Sequence, residues 1–150
     1  MGRTAPLFRT VPAQHHLGFW TEQALNAKKV AEFYDFDKRE IAKVANVAPS
    51  SVRYDHKIPK EVAERLAEIA NIAELAAQFF AGDSIKTALW FKTPNPLLGQ
   101  ICPRDMVRYG RYDRLRQFVL EALRESAAEA AVPESLTSVI DATTHATATA

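Results

Sequence analysis

Cysteine is nearly absent: Cys102 is the sole one among 150 residues. One thiol excludes an internal disulfide and a cysteine-based metal cluster. Glycine is scarce, at five, and no glycine-rich phosphate loop is present. No run approaches the roughly 18 continuous apolar residues of a membrane-spanning helix. A chain of the cytoplasm, without a membrane partner, is therefore expected. The opening MGRTAPLFRTVPAQHHLGFW has two arginines but no sustained apolar segment, so it does not read as a secretory leader. A strand pattern and an internal repeat are missing too. An excess of one charge is also lacking, with 19 Lys and Arg against 18 Asp and Glu.

That balance hides an asymmetry. Residues 1–60 carry a net +4 and residues 61–150 a net −3. A basic front and an acidic rear point to two different partners, with the front suited to phosphate.

What the chain has is helical periodicity. Thr21 precedes EQALNAKKVAEFY and is a candidate N-cap. Asp37 precedes KREIAKVAN, a second helix. Pro59 opens KEVAERLAEIANIAELAAQFFAG, where Val62, Leu66, Ile69, Ile72, Ala73, Ala76 and Phe80 recur at three and four residues. Gly82 ends that helix and Asp83 caps the next, SIKTALWFK. Pro103 opens a short helix closed by Gly110. RYDRLRQFVLEALRESAAEAA then sets Leu115, Phe118, Val119, Ala122 and Leu123 on one face. The expected fold is all-α: an N-terminal helix-turn-helix subdomain joined by a long helix to a small helical subdomain. Residues 1–18 read as a flexible arm, 19–81 as the helix-turn-helix and dimerisation region, 82–125 as the second helical domain and 126–150 as a tail. The tail holds eight Ala, five Thr and no Lys or Arg, and its last ten residues have the composition of disorder. The wide stripe on the long helix either forms part of a homodimer interface or supports both subdomains.

REIAKVANVAPSSVRYD is the helix-turn-helix candidate. Ala42 is small enough for two helices to touch. Asn46 tolerates the positive φ of the turn, Val47 and Val52 plug the wedge, and Pro49 fits a first turn. Ser50, Ser51, Arg53, Tyr54 and Lys57 then face outward, the residue types that read DNA from a helix in the major groove. Lys38, Arg39 and Lys43 can touch the phosphate backbone. The alternative is a helical hairpin with a solvated basic face, in which Tyr54 is packed and His56 is incidental.

LWFKTPNPLLGQICPRDMVRYG, residues 89–110, is the other unusual stretch. Trp90 and Phe91 end a helix. Pro94 and Pro96 keep the backbone extended and remove two donors. Leu97 and Leu98 return to a core, and Gly99 permits a sharp turn. Asp105 sits in the favourable first turn of the short helix. Trp90, Leu97, Leu98, Phe118 and Leu123 read as core. The segment offers no nucleophile–base pair and no metal-ligand spacing. Asp105 and His15-His16 have no catalytic partner at a meaningful spacing, so the chain does not read as an enzyme and no cofactor is expected.

The order Trp90, Pro94, Asn95, Leu98, Gly99, Pro103, Gly110 and a long final helix resembles the toxin-binding domain of the Xre/MbcA/ParS antitoxin family, in which a helix-turn-helix precedes it. The resemblance spans about residues 20–125. Gln100 stands where the family often has a second glycine, Cys102 where Ser or Thr commonly precedes the proline, and Asn46 at the customary turn glycine. The resemblance implies a non-catalytic antitoxin of a type II toxin–antitoxin system. Such a protein binds a RES-domain toxin that consumes NAD or transfers its ADP-ribose, blocks the NAD pocket, and represses its own operator DNA. A homodimer or a toxin–antitoxin hetero-oligomer is the implied assembly. In this chain the expected toxin contacts are Arg111, Tyr112, Arg114 and the tail stripe Leu136, Val139 and Ile140. Burying those three contributes roughly 1.5–3 kcal/mol each before ordering costs. The alternative function is a standalone helix-turn-helix transcription regulator whose C-terminal region dimerises or senses a small molecule.

Overall fold

A 20-residue helix, Lys60–Phe79, organises the molecule. The computed structural model describes residues 15–21 and 24–130. Among them six α-helices form: α1 (Ala27–Tyr34), α2 (Lys38–Ala45), α3 (Lys60–Phe79), α4 (Ser84–Phe91), α5 (Pro103–Arg108) and α6 (Tyr112–Ala130). Two 3-10 turns, Pro49–Ser51 and Pro96–Leu98, link them. No strand forms among the described residues, and the all-α expectation holds. No described helix is long and apolar enough to cross a membrane.

α3 packs against α1, α2, α4 and α6. Its predicted stripe is consumed in doing so. Val62, Leu66, Ile69, Ile72, Ala73 and Ala76 are all buried, and so are Ala70, Leu75 and Ala77. Each large aliphatic side chain removed from water there contributes about 1.5–3 kcal/mol. Of the stripe, Phe80 alone stays half-buried; the rest is covered within the chain. Tyr34, fully buried, donates its hydroxyl to the Ile69 carbonyl and ties α1 to the middle of α3.

The entry to α1 differs from expectation. α1 starts at Ala27, where the Asn26 side chain accepts the Lys29 N–H at 3.1 Å. Thr21 instead closes a turn, donating its N–H and its hydroxyl to the Ala24 carbonyl at 2.9 and 3.1 Å. The Asn26 N–H returns to the Phe19 carbonyl at 2.6 Å. This small loop holds Phe19 in the core.

The last part of the expected flexible arm, residues 15–18, is likewise held in place. Residues 1–14 lie outside the described residues, but the chain from His15 onward is docked. Leu17 is buried. The N–H groups of His16 and Leu17 donate to the two carboxylate oxygens of Glu74 at 2.7 and 2.8 Å. Glu74 is 0% exposed on α3. Charge-assisted bonds of this kind are among the stronger ones in proteins and offset part of the cost of burying a carboxylate.

α3 ends through two successive left-handed residues, Ala81 at φ 55° and Gly82 at φ 84°. A Cβ on Gly82 would lie 2.9 Å from His16 Nδ1, so a larger residue would have to displace the His16 ring besides adopting an unfavourable φ. Asp83 then caps α4, accepting the N–H groups of Ile85 and Lys86 at 3.0 Å.

Candidate protein-binding face

The corner between α4 and α5 is built residue by residue as the sequence suggests. Phe91 is fully buried at the end of α4, while Trp90 stacks parallel to Phe118 of α6 with ring centroids 6.4 Å apart. Asn95 is the keystone. Its side chain accepts the Leu97 N–H at 2.9 Å, its carbonyl accepts the N–H groups of Leu98 and Gln100, and its own N–H donates to the Ile101 carbonyl. The chain reverses through Gly99 at φ 71° and Gln100 at φ 65°. Gln100 thus occupies a left-handed conformation that disfavours a side chain and favours glycine. Pro103 starts α5, and Gly110 at φ 79° ends it.

α5 is pinned to the N-terminal helices by charge. Arg104 pairs with Asp35 at 3.5 Å, and Arg108 lies 3.6 Å from Glu40 and 2.9 Å from Asp105. The first two distances are those of ion pairs beyond hydrogen-bond length. In this partly exposed setting each pair is worth at most about 1 kcal/mol.

Around this corner the apolar residues stay in water. Leu97, expected to return to a core, is 80% exposed, while Leu98 is half-buried. Ile85 is 79%, Leu89 66% and Phe79 46% exposed. Phe79 and Leu97 line a groove beside this corner, while Ile85 and Leu89 share one face of α4. The groove, of about 370 Å³, runs between the end of α3, Trp90, the elbow and α6. Ala76, Phe79, Phe80, Trp90, Leu97, Phe118, Val119 and Ala122 form its apolar lining, and Glu125 and Glu129 stand at its α6 side. An apolar groove with exposed leucine and phenylalanine at its edge is a candidate protein-binding face. No group of three or more His, Cys, Asp or Glu placed to hold a metal ion occurs among the described residues.

The DNA-contact set is placed differently from expectation. α2 forms as predicted, capped by the Asp37 side chain on the Glu40 N–H and ended by Asn46 at φ 57°. Ala42 and Val52 are buried and Val47 half-buried, as a wedge requires. No recognition helix follows. Pro49–Ser51 is one 3-10 turn, and Val52 is already extended. Arg53 is held by Asp55 at 2.7 Å, and Asp55 also accepts the Lys57 N–H at 2.9 Å. Those contacts, led by the bond from Arg53, hold the Asp55 carboxyl below its ordinary pKa. Tyr54 is half-buried, with Lys38 5.9 Å over its ring. Burial, and then the Asp37 carboxylate, push its phenol above the usual value. Lys38, Arg39, Lys43 and Ser50 remain exposed, and Ser51 is half-buried. These residues form a mixed polar surface, not one face of a helix.

The expected toxin contacts separate. Arg111 and Arg114 are exposed at the start of α6, but Tyr112 lies under the Arg65 guanidinium, 4.4 Å from its ring centroid. Leu136, Val139 and Ile140 lie outside the described residues. The start of α6 and its last residue, Ala130, are about 27 Å apart along a 19-residue helix. Sequence reasoning missed Ile85, Leu89 and Phe79 as surface. Their signal was present in the apolar pair Ile85 and Leu89 at i and i+4, on a helix whose other side is already filled by Thr87 and Phe91.

No protein-family model matches the chain, and no curated protein matches it. Among solved structures, a chain from the M. tuberculosis MbcT–MbcA toxin–antitoxin complex is similar. The match has 22% sequence identity, covers 71% of this chain and 97% of that one, and has a TM-score of 0.46. Likeness at that level carries no functional inference.

Proposed function

We propose that this chain is the neutralising antitoxin of a type II toxin–antitoxin pair, binding a RES-domain toxin and obstructing its NAD pocket. The observation that supports it is the elbow. Trp90, Pro94, Asn95, Leu98, Gly99, Pro103 and Gly110 follow the family order, and Asn95, Gly99 and Gly110 each meet a backbone requirement of one rigid corner. A corner held this way presents a fixed surface at low ordering cost on binding.

Neutralisation needs a narrow segment that enters a dinucleotide pocket. Residues 131–150 follow directly from the end of α6, are dominated by Ala, Ser and Thr, and carry the apolar stripe Leu136, Val139 and Ile140. Arg111 and Arg114 offer exposed cations at the other end of α6 for a second contact. Operator binding draws less support, because residues 49–57 supply one 3-10 turn where base reading calls for a helix. The reading as a standalone regulator loses support for the same reason.

The test is co-expression with the RES-domain toxin. The full chain restores growth and co-purifies with the toxin. A chain ending at Ala130 keeps its helical circular dichroism and loses protection. Full protection by the shortened chain removes the tail from the mechanism. Failure of the full chain both to co-purify and to protect removes the antitoxin role.

A further inference from the structure

The groove beside the elbow runs out along α6 to the end of the described chain. Phe118, Val119, Ala122, Glu125, Ser126 and Glu129 all line it, so one face of α6 forms its wall. Glu129 directly precedes Ala130, the last residue of the helix. From Phe118 to Glu129 that wall is about 16 Å long. Residues 131–150 therefore leave α6 at the mouth of the groove. Pro133 disfavours helical backbone at Val132, so the chain turns within a few residues of Ala130. Beyond it Leu136, Val139 and Ile140 stand at i, i+3 and i+4 with Thr137 and Ser138 between them, the spacing of one apolar helical face. Pro133 and Glu134 suit the start of such a helix.

The lengths agree. Residues 131–133 span about 10 Å when extended, close to the roughly 8–10 Å between the axes of packed helices. A helix over residues 134–141 is about 12 Å long and fits within the wall. We propose that in the free chain this segment folds back antiparallel to α6, Leu136, Val139 and Ile140 filling the groove against Phe80, Trp90 and Phe118, and that the toxin draws it out. The second half of the proposal rests on the antitoxin reading; the first half does not. A segment tethered at the mouth has an effective concentration on the order of millimolar, so it occupies the groove ahead of a partner free in solution. Folded back, Glu134 meets Glu129, and that like pair opposes the docking, while Asp141 lies toward the elbow. Apolar burial set against a repulsion at the entrance makes a weak latch, which a partner that binds the released tail more tightly opens. The tail that enters the toxin is thereby stored on the antitoxin's own surface.

Nuclear magnetic resonance on the full chain without toxin tests the docking. In the unaltered chain residues 136–140 show backbone order parameters near the rigid value of about 0.85, and in the full-length variant Leu136→Asp with Ile140→Asp they fall below about 0.6. The indole N–H resonance of Trp90 shifts between the two, and that of Trp20, which packs with His15 and Phe19, stays in place. Flexible residues 136–140 in the unaltered chain, a Trp90 resonance indifferent to the variant, or a Trp90 shift that grows with protein concentration overturns the docking. Release is tested with Ala122→Cys and Val139→Cys in a Cys102→Ser chain, whose oxidation locks the tail into the groove. The reduced chain blocks NAD consumption by the RES-domain toxin, and the oxidised chain loses that block. Equal block by both forms overturns the release. A reduced chain and an unaltered chain that both leave the toxin active remove the antitoxin reading, and with it the release, while the docking stands on the resonance measurements.

Discussion

Around α1 and α2, the large apolar residues Val30, Tyr34, Phe36, Ile41, Val44 and Val52 are buried, and what faces water is chiefly Lys, Arg, Asp, Glu and Ser. Around α4 and the elbow, Ile85, Leu89 and Leu97 face water, although the backbone beneath them is as firmly hydrogen-bonded. One region is closed upon itself. The other has a rigid frame and an unfilled surface. Hydrophobic residues held outward on a rigid frame add nothing to the burial that holds the fold together.

The sharpest way to break this comparison is to truncate one leucine from each region. Leu66→Ala, in the fully buried middle of α3, is expected to cost about 2–5 kcal/mol in urea denaturation. Leu89→Ala should stay within about 0.5 kcal/mol, as surface changes do. Equal destabilisation by the two would mean that the elbow end is ordinary core.

A second, smaller effect concerns the docked N-terminal segment. Glu74→Gln leaves a single acceptor oxygen for the two N–H groups of His16 and Leu17. The loss should be about 1–3 kcal/mol, with faster hydrogen exchange at those two amides. Unchanged exchange there would show that the carboxylate is not what holds the segment.

The smallest effect sharpens the account of the turn. Gln100 sits at φ 65°, so Gln100→Gly should relieve strain and stabilise by about 0.5–1 kcal/mol, net of the entropy glycine gains when unfolded. The measurement is a rise in Tm. A fall would mean that the Gln100 side chain makes contacts worth more than the strain.

Much of the elbow could be read in advance because prolines and glycines act locally. Pro103 and Gly110 bound α5 for reasons contained in a few residues. Asn46 was legible for the same reason. The recognition helix was misread because competing local bonds win between Val52 and Pro59. Asp55 captures both the Arg53 side chain and the Lys57 N–H, a turn that draws the backbone away from helix. Pro59 disfavours helical backbone at Ile58. Glu74 was not legible at all. Its partners lie 58 and 57 residues away in sequence, and within α3 it reads as one more solvated acid. Leu97 was misassigned because composition shows that a residue is apolar, not whether anything within the chain will cover it.

The most direct measurement of the central claim is NAD consumption by the purified RES-domain toxin, followed as the full chain is added. The account predicts that turnover falls to background near a one-to-one ratio of chains. Undiminished NAD consumption in the presence of excess folded chain would contradict it.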